Sequence, residues 1–207
     1  MSFWGEPDTL VTWCEEKYFV SPYISEFHNM WTNVIYLIIP IFMKNSFLNG
    51  CLTVMGIGSI LFHGTSRYYF QLLDEIPMML VTTEFINMYY RRTQLTSRWW
   101  FYTFLYLSTL WSMVFYIFLG CHNLFSTILT CQILMLQHVG FEATRSLPVA
   151  RNHYYKSFIC MGVGKIAWEV EQRFCDQNPD LYVLHGICHF LSGLSIYLLY
   201  LSIKTVN

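Results

Sequence analysis

Two histidines four residues apart, His185 and His189 in LHGICHFLSG, share one helix face about 6 Å apart along the axis, close enough to grip one ion. A third imidazole, His63, lies one helical turn beyond Ser59 in SILFHG, and Asp74 follows in QLLDE. Three neutral imidazoles with a fourth position open match the ligand count of a catalytic zinc site, where a bound water becomes acidic near neutral pH. Asp74 is then a natural general base. Ser59, on the face of His63, can donate to a developing oxyanion. Plainer roles exist for each. A lone intramembrane histidine packs or hydrogen-bonds, and a serine in a membrane helix bonds back to the carbonyl four residues earlier. Spacing alone leaves both open, so the elements that carry these residues must decide.

Those elements are apolar. The 207 residues are 55% hydrophobic, 19% aromatic and 12% charged, a scarcity of charge that lipid selects rather than water. Charge-free runs cover 27–43, 45–66, 99–141 and 181–203, and the third is long enough for two spans broken at Gly120-Cys121-His122-Asn123. Two further spans carry charge: 69–90 holds Asp74, Glu75 and Glu84, and 157–174 holds Lys165, Glu169 and Glu171. The expected fold is an all-α integral membrane protein, a seven-transmembrane helix bundle over 28–44, 47–66, 69–90, 99–119, 122–140, 154–174 and 183–204. No internal repeat or linker divides it. Residues 1–26 lack the apolar core of a cleavable leader and are expected to dock on the 27–204 domain, with 205–207 as a short tail.

Orientation follows from the basic residues. Lys44, Arg91, Arg92, Arg98, Arg145, Arg151, Lys156 and Lys204 collect on one side, against Lys17, Arg67 and Arg173 on the other. The positive-inside rule then makes the carboxyl terminus cytosolic and the amino terminus lumenal. No contiguous basic patch exists, so nucleic-acid binding has no support. Cys14 and Cys175 fall on the lumenal side, where oxidation is permitted, and are expected to form a disulfide. In this topology His63 ends the second span, Asp74 starts the third and His185 and His189 start the seventh, all at the lumenal rim. Glu84 lies deeper and needs a partner, for which Lys165 is the charge available.

The stretches WCEEKYFVSPYISEFHN (13–29), GSILFHGTSRYYFQLLDEIPM (58–78) and LHGICHFLSG (184–193) resemble the alkaline ceramidases of the CREST superfamily of membrane hydrolases. The resemblance runs through almost the whole chain. It implies a seven-helix amidase of the endoplasmic reticulum or Golgi that hydrolyses ceramide to a sphingoid base and a fatty acid. By matching motif it makes His63, His185 and His189 zinc ligands, Asp74 the acid–base residue and Ser59 the oxyanion donor, and it pairs Cys14 with Cys175.

The resemblance also implies a calcium site, carried here by Trp13 through its carbonyl, Glu15 and Glu26. Thr12 and Lys17 depart from that pattern, one replacing a carboxylate and the other an amide oxygen. A cation needing six to eight oxygens should bind poorly to such a set. Two alternatives stand: the Lys17 ammonium partly stands in for calcium by pairing with Glu15 and Glu26, or it swings into water and Glu16 or waters fill the ion's shell. Other readings of the whole chain are a hydrolase of another lipid amide or ester and a non-catalytic seven-helix zinc-binding receptor. A purely structural zinc site needs neither Ser59 nor Asp74.

Overall fold

The computed structural model describes residues 3–93 and 99–206. Arg98 and Asn207, which entered the orientation and tail expectations, lie outside the described residues. The elements are helical throughout: α1 (Phe27–Thr32), α2 (Ile35–Ile38), a 3-10 turn (Ile39–Phe42), α3 (Ser46–Thr65), α4 (Tyr68–Thr93), α5 (Trp99–Leu119), α6 (His122–Thr144), α7 (Pro148–Phe174), a 3-10 turn (Pro179–Tyr182) and α8 (Val183–Lys204). No strand occurs among the described residues; Ser21 and Ile24 form one isolated bridge.

Among the described residues, four stretches, α3, α5, α6 and Pro179–Lys204, are long and apolar enough to cross a membrane. Together with the family reported below, they make this a membrane protein. Helices α4 and α7 have 26 and 27 residues, about 40 Å at the usual rise, but carry acids and bases. The first expected span, 28–44, is instead three short pieces. Asn29 O accepts from Thr32 Oγ1 (2.9 Å) and Asn33 Nδ2 (2.8 Å), so side chains take the carbonyl that would continue the helix. Pro40 then lacks the N–H for the next turn, and the chain tightens into 3-10 geometry.

The tightest packing is between α7 and α8 and between α3 and α4. At the second crossing Gly58 is required: a Cβ there would stand 2.5 Å from the Leu73 carbonyl carbon and oxygen. Pro77, four residues on, gives Leu73 O no amide partner, so the α4 backbone is already open where α3 presses on it. The main core lies towards the other end, around Leu48, Leu52, Phe85, Tyr89, Leu199 and Ile203. A smaller cluster of Met79, Met113, Tyr116 and Phe125 joins α4, α5 and α6.

The amino-terminal segment is tied to the helix ends at the opposite rim from that main core. Asp8 Oδ1 accepts from the Tyr68 amide at the start of α4 (2.7 Å), and Arg67 Nη2 lies 3.3 Å from Asp8 Oδ2. The amides of Ser25 and Glu26 donate to the carbonyls of Gly64 (2.9 Å) and His63 (2.8 Å). Ser66, in left-handed conformation (φ 53°), turns the chain from α3 into α4 and bonds Ser25 Oγ at 2.6 Å. Cys14 and Cys175 are joined by a disulfide, with Cα atoms 5.2 Å apart across 161 residues of sequence.

Candidate metal centre

One ring nitrogen from each of His63, His185 and His189 lies within 4.8 Å of the others, and all three side chains are buried. What orients the rings is legible bond by bond. His63 Nδ1 donates to Glu26 Oε2 at 2.6 Å, and His185 Nδ1 to Glu171 Oε2 at 2.8 Å. His189 Nδ1 lies 2.8 Å from Thr32 Oγ1. That hydroxyl spends its only proton on Asn29 O, so it must accept from the ring. All three imidazoles therefore carry the proton on Nδ1 and keep the Nε2 lone pair, and His63 Nε2 is buried without a partner. Such a donor set fits a divalent cation that favours imidazole, with each ligand held in the required tautomer from behind.

Ser59 and Asp74 face each other across the α3–α4 crossing that Gly58 permits. Ser59 Oγ and Asp74 Oδ1 are both buried and make no close hydrogen bond to a third group, while the hydroxyl lies near enough to the carboxyl to interact with it. Asp74, His185 and His189 line one cavity whose remaining wall is mostly apolar, with Met55, Phe85 and Leu136 among its residues. A buried carboxyl and two imidazoles on the wall of an apolar cavity are polar groups that a ligand there can engage.

The proposed calcium residues are occupied otherwise. Glu15 accepts from the amides of His28 (2.6 Å) and Asn29 (2.8 Å), capping α1. Its carboxyl is pushed above the usual range by burial, against the lowering effect of those two amides. Glu26 serves His63 with one oxygen and lies 3.4 Å from Lys17 Nζ with the other. Burial pushes Glu26 up, but the His63 bond and the charges of His63 and Lys17 outweigh it and hold the carboxyl below its usual range. Lys17 Nζ also donates to Ser66 Oγ at 2.9 Å, Trp13 is buried and Thr12 exposed. With an ammonium among them and Glu15 bound to the backbone, these residues do not fit a calcium ion.

One pairing expectation is corrected. Glu84 is satisfied by Asn87 Nδ2 (2.9 Å) and by Tyr106 OH, whereas Lys165 pairs with Glu169 one turn away (3.0 Å) and covers the Trp168 ring. Sequence reasoning also missed Thr32 entirely and gave Glu171 no partner. Thr32 reaches His189 because Gly186 lets α8 come against it: a Cβ there would stand 2.9 Å from Thr32 Cγ2.

Fold and site together define a membrane-associated helical protein with a buried three-imidazole centre at the head of an apolar cavity. The chain belongs to the ceramidase family, whose model, described as Ceramidase, matches residues 5–207. It is similar to alkaline ceramidase 3 of Mus musculus, 28% identical over 222 residues that cover 95% of this chain and 83% of that one. An alkaline ceramidase of Arabidopsis thaliana is 27% identical over 220 residues, covering 95% and 83%. Alkaline ceramidase YPC1 of Saccharomyces cerevisiae is 42% identical over 87 residues, 37% of this chain and 28% of that one. The family makes the chain a hydrolase.

Proposed function

We propose that this protein is a zinc-dependent amidase that hydrolyses ceramide-type lipids to a sphingoid base and a fatty acid. The observation that carries the reading is the convergence of three buried imidazoles, each with Nδ1 committed to a group behind it, two of which line an apolar cavity that Asp74 also lines. His63, His185 and His189 would hold the ion. A bound zinc supplies Lewis acidity, which polarises a carbonyl and makes water a stronger acid. Asp74 accepts the proton of the attacking water and returns it to the departing amine as the C–N bond breaks. The Ser59 hydroxyl donates to the oxygen that gains charge. The apolar cavity holds the hydrocarbon chains so that the amide lies at its polar end.

The topology proposed with this reaction has seven crossings, the amino terminus lumenal and the carboxyl terminus cytosolic, in the endoplasmic reticulum or Golgi. It is supported by the basic residues at the ends of α4, α6 and α8 and by the Cys14–Cys175 disulfide at the opposite ends. In the amino-terminal segment, the Lys17 ammonium stands where the family pattern expects a calcium ligand. Its contacts with Glu26 and Ser66 support a role in place of the ion.

The deciding experiment incubates purified protein with long-chain amides and matching esters and measures released base or alcohol by mass spectrometry. Amide cleavage that stops on chelation and returns with zinc is the expected result. Cleavage confined to esters would transfer the site to another lipid class, and no cleavage at all would leave a zinc-binding structural protein. Asp74→Asn should keep its zinc and lose about 10²–10⁴-fold in kcat. Full activity in that variant removes Asp74 from the proton path.

A further inference from the structure

The same cavity holds a second set of polar groups that the reaction above does not use. Glu75, next to Asp74 on α4, accepts from Gln71 Nε2 (3.0 Å), from Tyr116 OH and from His122 Nδ1 (2.9 Å). Gln71 is itself fixed, because its Oε1 accepts from the Leu10 amide at 2.8 Å. With Glu75 an acceptor for its other two donors, His122 carries its proton on Nδ1 and presents the Nε2 lone pair. That nitrogen is buried without a partner. The Trp13 indole stands 6.3 Å away, centroid to centroid, at an interplanar angle of 87°, and its Nε1–H is likewise buried and unpartnered. Both rings line the cavity together with Asp74 and His185.

A buried acceptor held by a carboxylate on one side and a buried donor, carried by two rings of one cavity wall, form half of a recognition site. An acyl chain satisfies neither. A hydroxyl satisfies both, since it can donate to His122 Nε2 and accept from Trp13 Nε1–H. Trp13 also fixes the distance to the metal cluster, its ring lying 4.0 Å from that of His185, centroid to centroid. An amide beside Asp74 carries its neighbouring substituents to this wall.

We infer that His122 Nε2 and Trp13 Nε1 form a hydroxyl-recognition subsite that orients an N-acyl amino alcohol by one of the hydroxyls flanking its amide. This rests on the amidase reading of the same cavity and deepens it: substrate choice depends on the polar end of the lipid as well as on its chains. His122 is a positioning residue here, and Glu75, Gln71 and Tyr116 act through it.

The test measures equilibrium binding of radiolabelled, chain-matched amides to the purified zinc-loaded protein, with each flanking hydroxyl present or removed in turn. Wild-type protein is expected to bind the hydroxylated amide about tenfold more tightly than the analogue lacking the recognised hydroxyl, the worth of one buried neutral hydrogen-bonding group. His122→Leu and Trp13→Phe should each bring that ratio to within about twofold by weakening only the hydroxylated ligand. Should His122→Leu not fold, Trp13→Phe keeps a ring in place and carries the test. A ratio unchanged in every folded variant overturns the subsite. Hydrolysis is scored separately. A wild type that prefers the hydroxylated amide but releases no base keeps this subsite and loses the amidase reading, whereas one that binds and cleaves all analogues equally does the reverse.

Discussion

Glu171 holds two partners at once, accepting from His185 Nδ1 through Oε2 and from the Cys14 amide through Oε1 (3.1 Å). It therefore links the His185 ring to the disulfide-tethered segment. A glutamine there keeps one acceptor and must surrender the other, leaving His185 free to rotate or change tautomer. Glu171→Gln should weaken zinc binding about 10–100-fold, the usual scale for a carboxylate behind a ligating histidine, measured by competition with a chromophoric chelator. Unaltered affinity would make Glu171 a packing residue. At this scale the sequence was informative wherever chemistry is local. The i, i+4 spacing of His185 and His189 is a property of any helix, and Ser59 lies one turn from His63 on any helix. Glu171 and Thr32 are not local to what they support. Thr32 meets His189 across 157 residues, and no periodicity announces such a contact.

Helix α3 delivers Ser59 and His63, and α4 delivers Asp74 and Glu75, so the element that matters is their crossing. A side chain at position 58 has nowhere to go, with the Leu73 carbonyl at 2.5 Å and the Asp74 nitrogen at 2.8 Å from a Cβ. Gly58→Val must push the two helices apart. The expected cost is about 1–3 kcal/mol of stability, as for other overpacked interiors. Activity should fall further than stability accounts for, because Ser59 and Asp74 separate. Gly50, also in α3, has nothing within 4 Å of its Cβ position, and Gly50→Ala is the control that should leave both unchanged. Thermal melting and turnover on the two variants decide, and equal behaviour would show that the crossing does not set the site. Long charge-poor runs made α3, α5, α6 and α8 readable to within a residue or two at most ends, and Gly120 (φ 55°) marks the expected break before α6. The first span was not readable as broken. What interrupts it is two side chains competing for Asn29 O, a choice that hydropathy does not record.

Across the whole molecule, the amino-terminal segment is fastened to α3, α4 and α7, and Lys17 takes part in holding it to α3. Glu26 is shared between the segment and the site, with one oxygen on His63 and the other 3.4 Å from Lys17. A calcium ion at this place would draw on Glu26 and Glu15 together, but Glu15 spends both oxygens on the start of α1. An ammonium needs less: it pairs with Glu26, donates to Ser66 Oγ and demands no full shell of oxygens. On the proposal that the Lys17 ammonium acts in place of an ion, Thr12 and Lys17 form one coupled pair, and each carries its own prediction. Activity measured with zinc buffered and calcium varied should be flat in calcium for the wild type. The paired substitution Thr12→Asp with Lys17→Asn should create a calcium requirement, because it restores two oxygen ligands and removes the repelling charge. Lys17→Met alone should lower activity without making it respond to calcium. A wild type that depends strongly on calcium, and loses that dependence in Glu26→Ala, would show that the ion binds despite the ammonium and that Lys17 turns aside to admit it.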